Sequence, residues 1–230
     1  MQVLDALNRI LGVEDPETIK AMANLAVTYE NLGKYTEAEK LQSQVVDVRT
    51  RILEVDHPDT IIAMENLAAT YQSLGKYTEA EKLDVQVLDK KARILGVEHL
   101  DTIRAMANLA TTYRFQGKYI EGEKLEMQVL EARTGILGVE HPATIDAMAN
   151  LAVGYQYMGK YTEAEKLGMQ GTEFLEWNTQ TPLQLWQIFQ SHIMACKNTE
   201  RQRTCIFKFW MQGPESLTWN THTQSQPRQI

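Results

Sequence analysis

One ten-residue stretch returns along this chain at a fixed interval. LGKYTEAEKL stands at Leu32–Leu41 and again at Leu74–Leu83. Altered copies follow as FQGKYIEGEKL at Phe115–Leu125 and MGKYTEAEKL at Met158–Leu167. Tyr35, Tyr77, Tyr119 and Tyr161 are thereby 42 positions apart. A period of this size marks a stacked array: one short unit cannot bury its apolar face alone and does so against the next.

The second unit shows the pattern. Pro58 suits the first turn of a helix, where its missing N–H costs nothing, and Asp59 adds negative charge at that end. Ile61, Met64, Leu67, Ala68 and Tyr71 follow at helical spacing, which predicts a first helix from Pro58 to Leu74, stopped by Gly75. Tyr77, Ala80, Leu83, Val87, Leu88, Ile94 and Leu95 predict a second helix ending at Gly96. Small residues recur in both helices: Ala26, Ala68, Ala110 and Ala152 in the first, and Ala38, Ala80, Gly122 and Ala164 in the second. At facing positions they let an antiparallel pair approach closely.

These residues carry a family resemblance. The spacing Leu67-Ala68-x-x-Tyr71 with Ala80 resembles the tetratricopeptide repeat. The HPDT link at His57–Thr60 and the NLAxxYxxxGKYxEAEKL run resemble its kinesin-light-chain type, from Met1 to about Gln170. The resemblance implies an all-α, right-handed superhelical solenoid of antiparallel helix pairs, with a non-repeat C-terminal tail. It also implies a peptide-binding arm, as in signalling proteins of the NB-ARC or NACHT type. Two registers depart from the family pattern. Met22, Met64, Met106 and Met148 replace a tryptophan. Gln42, Asp84, Glu126 and Gly168 replace an aromatic, a change expected to loosen packing between repeats.

The register divides the chain into six parts. The second half of a preceding repeat (1–14) comes first, since Gln2–Thr18 matches Gln86–Thr102. Three complete repeats (15–57, 58–99 and 100–141), a clipped fourth (142–170) and a divergent tail (171–230) follow. The opening residues are expected to belong to a longer array, the alternative being a natural helical cap.

The tail holds all four tryptophans and both cysteines, yet it keeps the period. EFLEWNTQT at Glu173–Thr181 and ESLTWNTHT at Glu215–Thr223 are again 42 apart. New codons built from the last base of each tail codon and the first two of the next allow ILGVEHPDT, the link of the repeat itself. Trp177–Asn178 forces its glutamate, and Phe209–Trp210, Trp210–Met211 and Met211–Gln212 force Leu, Asp and Ala of a second-helix ending. The expectation is a tail read out of frame after a short deletion or splice change between Gln170 and Glu173, and poorly ordered. The alternative is a divergent cap.

Net charge is −7, which argues against nucleic acid or an anionic membrane as partner. No run of roughly 18 apolar residues is present, so no membrane span is expected. Two cysteines, Cys196 and Cys205, are too few for a disulfide framework and fit a cytoplasmic location. His57, His99 and His141, with Glu98 and Glu140 nearby, lie one repeat apart and so too far from each other for one metal ion. They are read as link residues. No catalytic set, no metal site and no cofactor is expected.

The candidate site is the groove lined by the first helices. By the resemblance, Asn24, Asn66, Asn108 and Asn150 form a column there, each offering a donor and an acceptor to a protein or peptide ligand. Lys20, Arg104, Arg114, Phe115, Gln156 and Tyr157 stand at nearby positions, the two arginines suited to an acidic peptide. The opposing reading is that the asparagines only brace helix packing. The function expected is a non-catalytic scaffold, part of a larger regulatory or signalling protein. A kinesin-light-chain-like cargo adaptor, or a frameshifted product without a function of its own, are the rivals. The ligand, the parent protein and the oligomeric state are left open.

Overall fold

The computed structural model describes residues 2–176, and these form an all-α array. α1 (Gln2–Ile10) precedes four helix pairs. The pairs are α2 (Pro16–Asn31) with α3 (Tyr35–Leu53), α4 (Pro58–Ser73) with α5 (Tyr77–Leu95), α6 (Leu100–Phe115) with α7 (Tyr119–Leu137), and α8 (Pro142–Tyr157) with α9 (Tyr161–Glu176). Each helix packs chiefly on the one before and the one after it, giving a solenoid of antiparallel pairs. α9 continues six residues past Gln170, into the stretch the sequence assigns to the tail. The rest of that tail, with its tryptophans and cysteines, lies outside the described residues.

The first helices start where proline predicts, with Pro16, Pro58 and Pro142 in the opening turn. Their caps include a residue type that the sequence reading treated only as a link. Asp15 accepts from the Glu17 N–H at 2.9 Å, and the Nδ1 atoms of His57, His99 and His141 accept from the N–H two residues on, at 3.1 Å each. Each histidine thus satisfies one of the donors that a helix start leaves free. Gly33, Gly75, Gly117 and Gly159 take positive φ at the tight turn within each pair, where a Cβ would strain the backbone.

Close approach within pairs rests on the small residues. Ala26, Ala38, Ala68, Ala80 and Ala110 are buried, and a Cβ on Gly122 would meet the carbonyl oxygen of Ala110 at 3.2 Å. Between pairs the core also repeats. Ile19, Met22, Val45 and Ala63 form one cluster, Ile61, Met64, Val87 and Ala105 the next, and Ile103, Val129 and Ala147 a third. Each cluster thus takes an alanine from the following pair. Full burial of a side chain such as Val87 contributes about 1.5–3 kcal/mol, so the seams hold the array together.

The register expected to loosen the seams is filled instead by bonded polar groups. At the first seam Gln42 donates to Glu30 at 3.1 Å and accepts from Thr70 at 2.7 Å, with Glu30 also beside the Thr70 hydroxyl. At the second, Asp84 receives Thr112 at 2.5 Å and Gln72 at 3.4 Å, while Gln72 donates to Thr112 at 2.7 Å. At the third, Arg114 meets Glu126 at 3.2 Å, and the position of the threonine is Gly154. A polar side chain is tolerated in a seam when its partners are present. A second ladder runs outside, where Lys76, Lys118 and Lys160 pair with Glu39, Glu81 and Glu123 of the preceding repeat at 2.7–2.8 Å.

Candidate binding groove

Asn24, Asn66, Asn108 and Asn150 hold one register in α2, α4, α6 and α8. The first two are exposed and the last two half-buried. Their backbone carbonyls serve the fold: Thr28 and Arg114 donate to those of Asn24 and Asn150, and the hydroxyls of Thr70 and Thr112 lie 3.2 and 3.3 Å from those of Asn66 and Asn108. None of the four carboxamides makes a hydrogen bond among the described residues. Each repeat thus offers an amide with both a donor and an acceptor that has no hydrogen-bond partner among the described residues.

Helical spacing decides which neighbours share that face. Residues four before and seven after an asparagine lie on it, whereas one six after is turned by about a third of a circle. Lys20 and Arg104 therefore sit a turn below Asn24 and Asn108. Lys20 is exposed and without an ion partner among the described residues. Arg104 is 55% exposed and loosely held by Asp101 at 3.0 Å and Glu65 at 3.8 Å. Phe115 and Tyr157 end the same face two turns above Asn108 and Asn150. Phe115 stacks on Tyr77 with centroids 5.4 Å apart, and Tyr157 on Tyr119 at 5.6 Å, and both remain nearly half exposed.

Arg114 behaves differently from the expectation. Its side chain is only 9% exposed and points into the third seam, bonded to Glu126 and to the carbonyl of Asn150. A guanidinium already committed there has little left for a ligand. Gln156 holds the same register as Gln72 and Arg114 and so belongs to the seam face.

The 42-residue spacing also holds a basic register in the second helices. Arg49, Lys91 and Arg133 stand 42 apart in α3, α5 and α7. Arg49 and Arg133 donate to the backbone carbonyls of Asp59 and Ala143 at 2.7 and 2.6 Å, in the first turn of the following helix. Lys91, itself buried, is instead paired with half-buried Glu65 at 2.7 Å. Burial lowers the pKa of Arg133, with Asp146 opposing. Arg49 shares a small cleft with Asn66, lined also by Ala23, Gln42, Val45 and Ala63. Among the described residues no group of three or more His, Cys, Asp or Glu side chains is placed to hold a metal ion. No helix among them is long and apolar enough to cross a membrane.

The model of the tetratricopeptide repeat family matches three overlapping stretches, 17–91, 63–134 and 101–176. A solved Podosopora anserina chain of nearly identical TPR-like repeats, named a kinesin light chain, is 29% identical with a TM-score of 0.69. The match covers 78% of this chain and 85% of that one. BtubC from P. vanneervenii shares the fold at 17% identity and a TM-score of 0.64, over 73% of this chain and 68% of that one. MamA does so at 16% and 0.54, over 77% and 90%. No curated protein matches the sequence significantly.

Proposed function

This chain belongs to the tetratricopeptide repeat family, whose fold is typical of protein-interaction modules, and on that premise we propose that it is a non-catalytic scaffold binding an extended protein segment along the asparagine column. The observation that carries the reading is the set of four carboxamides with no hydrogen-bond partner among the described residues, at a register where the seam positions beside them are hydrogen-bonded. An extended backbone needs a donor and an acceptor at regular intervals, and Asn24, Asn66, Asn108 and Asn150 offer them once per repeat. Lys20, Arg104 and the half-exposed Phe115 and Tyr157 flank the column on the same helix faces. Arg49 of α3 shares a cleft with Asn66, while Arg114 serves the seam. The array would act as one arm of a larger regulatory or signalling protein. The likeness to a chain named a kinesin light chain favours a second reading, a cargo adaptor.

A footprint tests this. A peptide selected against the whole chain from a random library is bound to labelled protein, and amide exchange is compared with and without it. Protection is expected on α2, α4, α6 and α8 around the asparagines. Protection confined to α3, α5 and α7 would place the ligand elsewhere and contradict the proposal.

A further inference from the structure

The ends of the second helices carry aliphatic side chains that the groove does not use. In the ILGVEH stretch Ile94, Leu95 and Val97 are exposed, Val97 to 62%, and so are Ile136 and Val139 one repeat on. The backbone there is held in place: Thr102 donates to the Gly96 carbonyl at 2.8 Å, and His99 caps α6. The end of each second helix lies against the link before it, since Arg51 reaches Glu14 at 2.7 Å and Arg93 reaches Asp56 at 2.9 Å. The same register sets the end of α7 against the link at residues 96–99, so these side chains share one face.

Two departures from the repeat meet at this link. Leu100 opens α6 where Pro16, Pro58 and Pro142 open the other first helices, and it is 46% exposed. Glu98, in turn, has lost its cations. At the same register Asp56 is bonded by Lys90 at 2.8 Å and by Arg93. The residues of α7 that match Lys90 and Arg93 are Ala132 and Gly135, and Glu98 forms no ion pair among the described residues. This one link therefore joins an extra aliphatic side chain to a bare carboxylate. An exposed apolar patch with a charged rim marks a contact surface, and the carboxylate favours a cation and repels an anionic lipid surface. The backbone of α5, α6 and α7 is bonded within its own helices, so an extended segment would find few backbone partners here. A helix brings its own.

We propose that the face made by Ile94, Leu95, Val97, Leu100, Ile136 and Val139 docks an amphipathic helix of a partner protein. The apolar stripe of that helix rests on the aliphatic side chains, and an arginine beside the stripe meets Glu98. The face lies at the links, so it does not depend on the asparagine groove.

The test is a titration of the full chain carrying labelled isoleucine, leucine and valine methyl groups. The probes are an amphipathic helical peptide of leucine and arginine, its twin with glutamate for arginine, and vesicles of phosphatidylglycerol. The Val97, Leu100 and Ile136 methyl signals are expected to shift and saturate with the arginine peptide, at a Kd on the order of 10–100 μM. The glutamate twin and the vesicles are expected to leave them unmoved. Leu100→Pro with Gly135→Arg gives this link the residues of the others and is expected to weaken binding about tenfold. Proline suits the first turn of a helix and a Cβ at Gly135 meets nothing within 4 Å, so this variant is expected to keep its melting temperature. Glu98→Gln, which leaves every aliphatic contact in place, is expected to weaken binding about threefold. Gln44→Arg adds the same charge on α3 and is expected to change the Kd by less than about twofold. No saturable shift, equal binding of the glutamate twin, or undiminished binding by the reverted link and by Glu98→Gln would overturn the face. Vesicles that move the same signals would show a lipid surface, and a dimer that moves them without peptide would show a second copy. Either would overturn the partner helix.

Discussion

The carboxylate of Glu126 occupies the space that a side chain at Gly154 would need: Glu126 Oε2 lies 2.6 Å from where a Cβ would stand. The other two seams have threonine there, facing Gln42 and the shorter Asp84. The longer acid and the missing side chain are a matched pair. Replacing a mid-helix glycine by alanine ordinarily stabilises by about 0.8–1 kcal/mol. Here Gly154→Ala must displace Glu126 Oε2 inside a buried seam while the other carboxylate oxygen is held by Arg114, which costs about 1–3 kcal/mol. A net loss of about 1 kcal/mol is expected. In a Glu126→Asp background the same change is expected to stabilise. Urea denaturation of the double-mutant cycle measures the coupling, and a coupling near zero would contradict the pairing.

Glu126 also makes stability depend on pH. Burial pushes its carboxyl up to about 7, against the pull of Arg114 and with a small push from Glu123. Burial raises Asp84 as well, opposed by its bonds from Thr112 and Gln72. An acid whose folded pKa exceeds its unfolded value holds its proton better when folded. Its contribution is fully present below the unfolded pKa of about 4.3 and is lost as pH rises through about 7. Glu126→Gln is therefore expected to match the parent near pH 4.5 and to exceed it at pH 8 by on the order of 1–3 kcal/mol. Urea melts at the two pH values check this. A constant difference across the range would remove Glu126 as the cause.

Glu54 ends α3 at φ 70° and ψ 164°, a conformation that only glycine takes without strain. The matching residues Gly96 and Gly138 end α5 and α7 at φ 90° and 87°. Glu54→Gly is expected to stabilise by about 0.5–2 kcal/mol, after allowing for the greater freedom of glycine in the unfolded chain. Chemical denaturation reads it, and a destabilised variant would show that the Glu54 side chain contributes more than its backbone costs.

The coding DNA gives a further check. Read in the other frame beyond Gln170, it is expected to encode a link like ILGVEHPDT and then a new repeat. If that frame holds stop codons or no repeat, the tail is a divergent cap.

Much of this fold was legible because its signals are local. Pro58 and Pro142 mark helix starts, and the alternation of Ala68 and Ala80 marks close approach. The seam triads were not legible, because Gln42, Asp84 and Glu126 look unrelated until each is set beside a partner 28 residues on. Arg114 is next to the groove position Phe115 in sequence, but its angle around α6 turns it to the seam. The histidine caps had a readable signal in Asp15, a common cap residue at the same register. The asparagine column rests on the family resemblance, and helical spacing puts Phe115 on the same face of α6 as Asn108.

The central claim is that the asparagine side chains face a ligand and do not brace the stack. The direct measurement is Asn66→Ala with Asn108→Ala, read both for affinity to a library-selected peptide and for melting temperature. An affinity loss of about tenfold or more, about 1.4 kcal/mol, with the melting temperature moved by no more than about 2 °C is expected. A melting temperature that falls in step with affinity would show that the asparagines brace the helices, and would contradict the groove.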